Sequence, residues 1–280
     1  WQNARDYALE RKQMRAPVRP VGVSADAADP IHFHPAMRRT LLELRACTEG
    51  MRAVGYWVAH LLDEAEHQES PAERQRALQL AELLTPVIKA FFTDQGFRQA
   101  SNALQVFGGY GYVSEFAIEQ TLRDSRIAMI YEGSNEIQAN DLLLRKVLGD
   151  DGRAFAELLA VMRQESALAL EVSECAGFGT ELERLCDKLE AVVGAVRERA
   201  GEEVEYPYRV AGDFLRLCGV ALLGFAWVRG ARVSRLLPDS DPVRAGKLQT
   251  AQFFFAYLLP EADYRIASIR GAQASLAFVE

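Results

Sequence analysis

The chain has 280 residues, 49% hydrophobic and 25% charged, the mixture of a soluble globular protein and enough length for two domains with a sizeable core. A net charge of −7 excludes nucleic acid as the main partner, because phosphate binding needs clustered Lys and Arg. The acidity is local: residues 151–206 carry 13 acidic and 6 basic side chains, and the remainder is balanced.

Helical periodicity runs nearly throughout, and strand signals are almost absent. Residues 1–15 read as the end of a helix, and the start at Trp1 inside that pattern reads as a piece of something longer. Pro17, Pro20, Gly22, Pro30 and Pro35 mark a loop. A long helix is expected over about 34–67, with Leu41, Leu44, Cys47, Met51, Val54, Trp57, Val58 and Leu61 on one stripe. Ser70-Pro71-Ala72-Glu73 is a capping box with proline at the first helical position. It opens a helix to about 105, which Pro86 should kink. Gly108, Gly109 and Gly111 then break the pattern. A helix over about 115–130 follows, Gly133 interrupts it, and Ser134 caps the next, which ends near 149.

In the second half, Phe155, Leu158, Leu159 and Met162 mark an amphipathic helix that Gly177-Phe178-Gly179 should end. Thr180-Glu181-Leu182-Glu183 reads as a second capping box, ahead of Leu182, Leu185, Leu189, Val192 and Val196. Helices over about 208–237 and 242–277 complete the chain, with Phe253, Phe254, Phe255 and Tyr257 packed between neighbours. The fold class is all-α: one helical bundle over residues 1–150 and a second over 151–280. No segment reaches the roughly 18 uninterrupted apolar residues of a membrane span. Cys47, Cys175, Cys186 and Cys218 are widely spaced in apolar settings, as buried free thiols of a reducing, cytoplasmic compartment would be.

Three constellations carry polar chemistry. Tyr131-Glu132-Gly133-Ser134 places a carboxylate at a break between helices, where backbone groups are unpaired. Ile130 and Tyr131 could desolvate Glu132 and make it a proton acceptor, or the helix dipole could simply favour an acid there. The three glycines of 108–111 let a backbone approach a bulky ligand, or merely turn. His60, Asp63, Glu64 and His67 share a face, but the Glu-x-x-His spacing lacks the second copy that a di-iron bundle needs. A solvated polar face is expected there, and no metal site.

The run from Gln105 to Gln138 resembles the signature of acyl-CoA dehydrogenases: a Q-x-x-GG-x-G turn, then Arg123-Asp124, then Tyr131-Glu132-Gly133-Ser134. Arg11 matches an upstream Arg of that family, although Met14 and Arg15 depart from its usual Phe-Gly. The resemblance covers about residues 1–150. Residues 151–280 are similar to the extra helical domain of longer bacterial members, such as methylmercaptopropionyl-CoA dehydrogenases.

It implies FAD-dependent oxidation of an acyl-CoA to the trans-2-enoyl-CoA, with Glu132 taking the α-proton and its backbone N–H helping to hold the thioester oxygen. It further implies a homo-oligomer, a dimer or dimer of dimers, with electron-transfer flavoprotein as acceptor. Arg11, Gln105, Gly108 and Gly109 would meet a neighbouring subunit's FAD, and Ser134 and Glu136 the FAD of their own. The family's N-terminal helical and central β domains have no counterpart in the sequence, so the chain alone is not expected to turn over. An alkylation-response flavoprotein of the same fold should carry a basic C-terminal face, which the acidic 151–206 segment opposes. A non-catalytic helical oligomerisation module would leave the Tyr131–Ser134 motif unexplained.

Overall fold

Two long helices, α2 (Pro35–His67) and α3 (Pro71–Val106), form the first hairpin of the chain. A computed structural model describes residues 1–22 and 28–272. Ser70 is the N-cap of α3, its hydroxyl accepting from the Glu73 N–H at 3.4 Å, and Pro71 takes the first helical position, where its missing N–H costs nothing. Leu41, Leu44, Cys47, Val54, Val58 and Leu61 of α2 are buried, whereas Met51 and Trp57 are only partly covered. The helix runs on through Pro86, whose buried ring leaves the ladder short of one donor without ending it. Before the hairpin comes α1 (Gln2–Glu10), shorter than expected.

After α3 the chain makes tight turns over 108–116 and then forms α4 (Ile118–Ile127), which starts later and ends sooner than the sequence pattern suggests. A short helix, α5 (Asn135–Asn140), widens into a π-helical stretch, Asp141–Leu148. The second half contains α6 (Arg153–Leu170), α7 (Ala176–Glu202), α8 (Tyr206–Ser234), α9 (Pro242–Phe253) and α10 (Glu261–Gly271). Among the described residues the only β pairing is an isolated Lys12–Pro30 bridge, so the expected all-α class holds.

α8 is the hub. It touches α2, α3, α5, α6, α7, α9 and α10. By composition it is also long and apolar enough to cross a membrane, yet 78% of its most apolar window is buried within the fold, which accounts for that composition. Gly219 makes close packing possible: a Cβ there would lie 2.3 Å from the Phe91 ring of α3. A single apolar core consequently runs from Ala46 in α2 to Ile269 in α10, while a smaller cluster gathers Ala4, Ala8, Leu44, Val106, Phe107 and Ile118 around α1.

Two expectations fail in the second half. The break lies at 171–175, not at Gly177–Gly179, and Thr180 is inside α7 with its hydroxyl on the Ala176 carbonyl. Gly179 serves packing instead: a Cβ would come within 2.9 Å of the Ser166 carbonyl, and the Ser166 hydroxyl donates to the Gly179 carbonyl at 2.8 Å. The helix expected over 242–277 is interrupted by a π-helical stretch, Phe254–Leu258, and by Pro260, which has no N–H to continue the ladder. Residues 273–277 of that expectation lie outside the described residues. Phe253 and Phe254 are buried, but Tyr257 is exposed and stacks on Phe253 at 4.9 Å. All four cysteines are buried and free, and burial pushes the Cys47 and Cys186 thiols up to about 12.

Candidate active site and nucleotide groove

The break before α5 is a pair of residues in the left-handed region. Glu132 has φ +54° and Gly133 φ +86°, a conformation that costs the glutamate and not the glycine. Side chains from two helices hold it. Lys89 of α3 donates through Nζ to the Gly133 carbonyl at 2.6 Å and to Asn135 Oδ1 at 3.2 Å. Asn135 is fixed in turn by its Nδ2 on the Ala90 carbonyl at 3.1 Å and by the Thr93 hydroxyl on Oδ1 at 3.3 Å. Gln138 Nε2 donates to the Glu132 carbonyl at 3.3 Å. Among the described residues the Glu132 N–H donates to no backbone carbonyl.

The Glu132 side chain is exposed, as are Ile130 and Tyr131, so of the two readings the sequence leaves open, these neighbours do not enclose the carboxylate. The backbone turns Glu132 outward and carries the two apolar side chains into solvent with it. Ser134 occupies the N-cap position of α5 without accepting a cap hydrogen bond, a departure from expectation. Its hydroxyl faces Glu136, and that hydrogen bond, followed by the Glu136 backbone N–H, holds the Glu136 carboxyl below its ordinary range.

The other site lies at the far end of α3. Arg11, Gln105, Gly108 and Gly109 line one open groove of about 660 Å³, together with Tyr7, Phe107 and Tyr110. Tyr7 stacks on Phe107 at 4.3 Å, Tyr110 stacks on Phe116 at 5.1 Å, and the Arg11 guanidinium stands 5.3 Å from the Tyr110 ring centre. Gly108 has φ +59°, and a Cβ on it or on Gly109 would meet nothing within 4 Å, so bare backbone faces the groove. Gly111 is required for the turn itself, since a Cβ would lie 2.5 Å from the Leu104 carbonyl. A cation, an amide and exposed backbone beside aromatic faces suit a ligand that is anionic in one part and planar in another.

Lys89 and Gln105 are 16 positions apart on α3, which separates the two sites by about 24 Å along the helix. Of the other polar group, His60 is exposed with Nε2 3.5 Å from Glu64, and His67 Nδ1 meets the Asp63 backbone carbonyl at 3.0 Å, the contacts of a solvated helix face. Lys89, Thr93, Asn135 and Gln138 hold the turn and are the residues that sequence reasoning missed there. Asn135 alone gave a signal, as a polar residue next to the motif.

Comparison with known proteins covers the chain in two stretches. The family described as "Acyl-CoA dehydrogenase, C-terminal domain" matches residues 3–146, and "Acetyl-CoA dehydrogenase C-terminal like" matches residues 153–279. The 3-methylmercaptopropionyl-CoA dehydrogenase of Ruegeria pomeroyi is 35% identical, over 99% of this chain and 47% of its own length. The broad-specificity linear acyl-CoA dehydrogenase FadE5 of Mycobacterium tuberculosis is 29% identical, over 92% of this chain and 44% of its own. The chain thus spans about half the length of these curated relatives. In fold it is similar to the crystal structure of an acyl-CoA dehydrogenase complexed with FAD from Bacillus anthracis, with a TM-score of 0.72 at 18% identity, covering 98% of this chain and 46% of that one.

Proposed function

This chain belongs to the acyl-CoA dehydrogenase family, and we propose that it supplies the base and part of the FAD-binding surface for oxidation of an acyl-CoA thioester to the trans-2-enoyl-CoA. Glu132 is the base. Its carboxylate removes the proton α to the thioester carbonyl, and its free N–H donates to the carbonyl oxygen as negative charge develops there. FAD, when bound, supplies the acceptor for the hydride that leaves the β-carbon. The single observation behind this reading is the fixed left-handed turn that presents an exposed carboxylate and an unpaired N–H from the same residue.

Ser134 and Glu136, next to that turn, belong to the same FAD. The groove of Arg11, Gln105, Gly108 and Gly109 fits FAD in residue type: the guanidinium for pyrophosphate oxygens, the Gln105 amide and bare glycine backbone for the adenosine side. A separation of about 24 Å along α3 suits contacts with two cofactors rather than one. The reading therefore includes a homo-oligomer, a dimer or dimer of dimers, in which the groove meets the FAD of a second copy. Electron-transfer flavoprotein as acceptor and a bacterial cytoplasmic setting complete it, and the division into a helical bundle over residues 1–150 and a second over 151–280 is part of the same proposal. Both sites are open to solvent, so the 280 residues by themselves are not expected to turn over.

The test is Glu132→Gln in the FAD-loaded holoenzyme, with flavin reduction followed anaerobically after adding straight-chain acyl-CoAs or 3-methylmercaptopropionyl-CoA. FAD content should be preserved and the limiting reduction rate should fall about 100-fold or more, the range for loss of a general base. Reduction at the wild-type rate would remove Glu132 from this role.

A further inference from the structure

We propose that Lys89 is a positioning residue for Glu132, acting through the Gly133 carbonyl and Asn135, an inference that rests on Glu132 being the base. Helical hydrogen bonding stops with the Tyr131 N–H on the Ile127 carbonyl and resumes with the Gln138 N–H on the Ser134 carbonyl. Between them the chain passes through two successive positive φ angles, one of them at a residue with a β-carbon. Backbone of that kind persists only where its surroundings over-determine it. Here the surroundings are side chains, and Lys89 is the one that crosses from another helix to bond the turn directly.

The choice of partners points to positioning rather than charge balance. Lys89 is half-buried, and its hydrogen bonds go to one peptide carbonyl and one amide oxygen; among the described residues it makes no ion pair within 4 Å, and its charge is the smallest of the influences that lower the Glu136 carboxyl. The same Asn135 oxygen also accepts from Thr93, and its amide nitrogen donates to the Ala90 carbonyl, so three residues on two adjacent turns of α3 contact the segment that follows the base. Fixing the Gly133 carbonyl sets the orientation of the Gly133–Ser134 peptide, while Gln138 fixes the carbonyl of Glu132 and with it the peptide that directly follows the base. Two adjoining peptides are thereby held, and with them the direction of the Glu132 side chain. Proton transfer is sensitive to this, since a misplacement of about 1 Å can cost about 100-fold in rate.

The experiment compares Lys89→Met, Lys89→Arg, Glu132→Gln and the double variant Lys89→Met/Glu132→Gln in the FAD-loaded holoenzyme. Lys89→Met should keep FAD and bind acyl-CoA within a few-fold of wild type, yet reduce flavin about 10- to 100-fold more slowly at saturating substrate. Lys89→Arg, which retains a donor, should recover part of that loss. The double variant should be no slower than Glu132→Gln alone, because a residue acting through the base has nothing to position once the base is gone. A slow Glu132→Gln beside a wild-type Lys89→Met overturns the positioning role alone. So does a double variant that is slower than Glu132→Gln by the full Lys89→Met factor. A wild-type rate in Glu132→Gln overturns the base assignment and this inference with it. Should Lys89→Met fail to load FAD, Asn135→Ala takes its place: slowing of about 10-fold that disappears in the Glu132→Gln background upholds the proposal, and a wild-type rate overturns it.

Discussion

Trp227 of α8 donates its indole N–H to the Ala46 carbonyl of α2 at 3.0 Å, joining positions 181 residues apart inside the core. One turn along α2, Gly50 leaves the space this needs: a Cβ there would lie 2.9 Å from both Trp227 Nε1 and Leu223 Cδ2. The second half of the chain is therefore seated directly on the first hairpin, within one apolar core.

That contact predicts how the protein unfolds. Trp227→Phe removes the hydrogen bond and leaves part of the indole volume empty, which should cost about 1–3 kcal/mol. Gly50→Ala should cost about 1–3 kcal/mol by overpacking. Both should lower the midpoint of one shared transition in urea, followed by far-UV circular dichroism and tryptophan fluorescence. Two separate transitions, only one of them shifted, would contradict a common core.

Glu261 of α10 makes the same junction sensitive to acid. Burial alone would raise its carboxyl, but hydrogen bonds and charge from Arg216, then from Arg265, outweigh burial and hold it below the ordinary glutamate range. Arg216 also pairs with Asp94 of α3, so the cluster bridges α3, α8 and α10. A carboxylate depressed on folding contributes stability that is present above its unfolded value of 4.5 and is lost as pH falls through the lower folded value. Glu261→Gln should cost about 1–3 kcal/mol at neutral pH. In urea titrations the gap between wild type and variant should narrow as the pH drops below that unfolded value, and a gap that stays constant would refute the linkage.

Local signals and tertiary ones divide cleanly in this chain. The Ser70 cap, Pro71 and the apolar stripe of α2 were legible because each acts within a few residues of itself. Gly179 was misread because a glycine that admits a neighbouring helix looks the same in sequence as one that ends its own. Gly133 marked the break before α5, but Lys89, 44 residues upstream, reads in sequence as an ordinary solvated lysine; only the packing of α5 on α3 gives it a task. The exposure of Glu132 was equally hidden, since its direction depends on a φ angle that apolar neighbours do not encode. Arg11 and Gln105 were paired through the family resemblance, and α1 lying across the end of α3 is what puts them in one groove.

Arg11 provides a direct test of that groove. It is held near the Tyr110 ring and faces the glycine turn, so Arg11→Ala should remove a charge-assisted contact to the cofactor without touching the Glu132 turn. The FAD dissociation constant of the holoenzyme should rise about 10-fold or more, the equivalent of one such contact. Flavin reduction in the molecules that remain loaded should stay within a few-fold of wild type. An unchanged dissociation constant would take Arg11 out of the cofactor site.

The 280-residue chain expressed alone offers the broadest check. Its core is continuous and its long helices are complete, so circular dichroism should report a mostly helical protein. Around the Glu132 turn, however, Ile127 and Ile137 are each 59% exposed, with Ile130 and Tyr131 beside them, and around the groove Tyr112 is 84% exposed next to Tyr110 and Phe116. Apolar surface gathered at two sites favours association. Neither site encloses a ligand, and a cofactor held on one open face lacks the burial that tight binding of a large molecule requires. Light scattering should therefore detect oligomers, and the absorbance spectrum should lack stoichiometric flavin. A monodisperse monomer that copurifies with one FAD per chain would contradict both expectations, because a single copy would then be closing a cofactor site that the proposed arrangement divides between two.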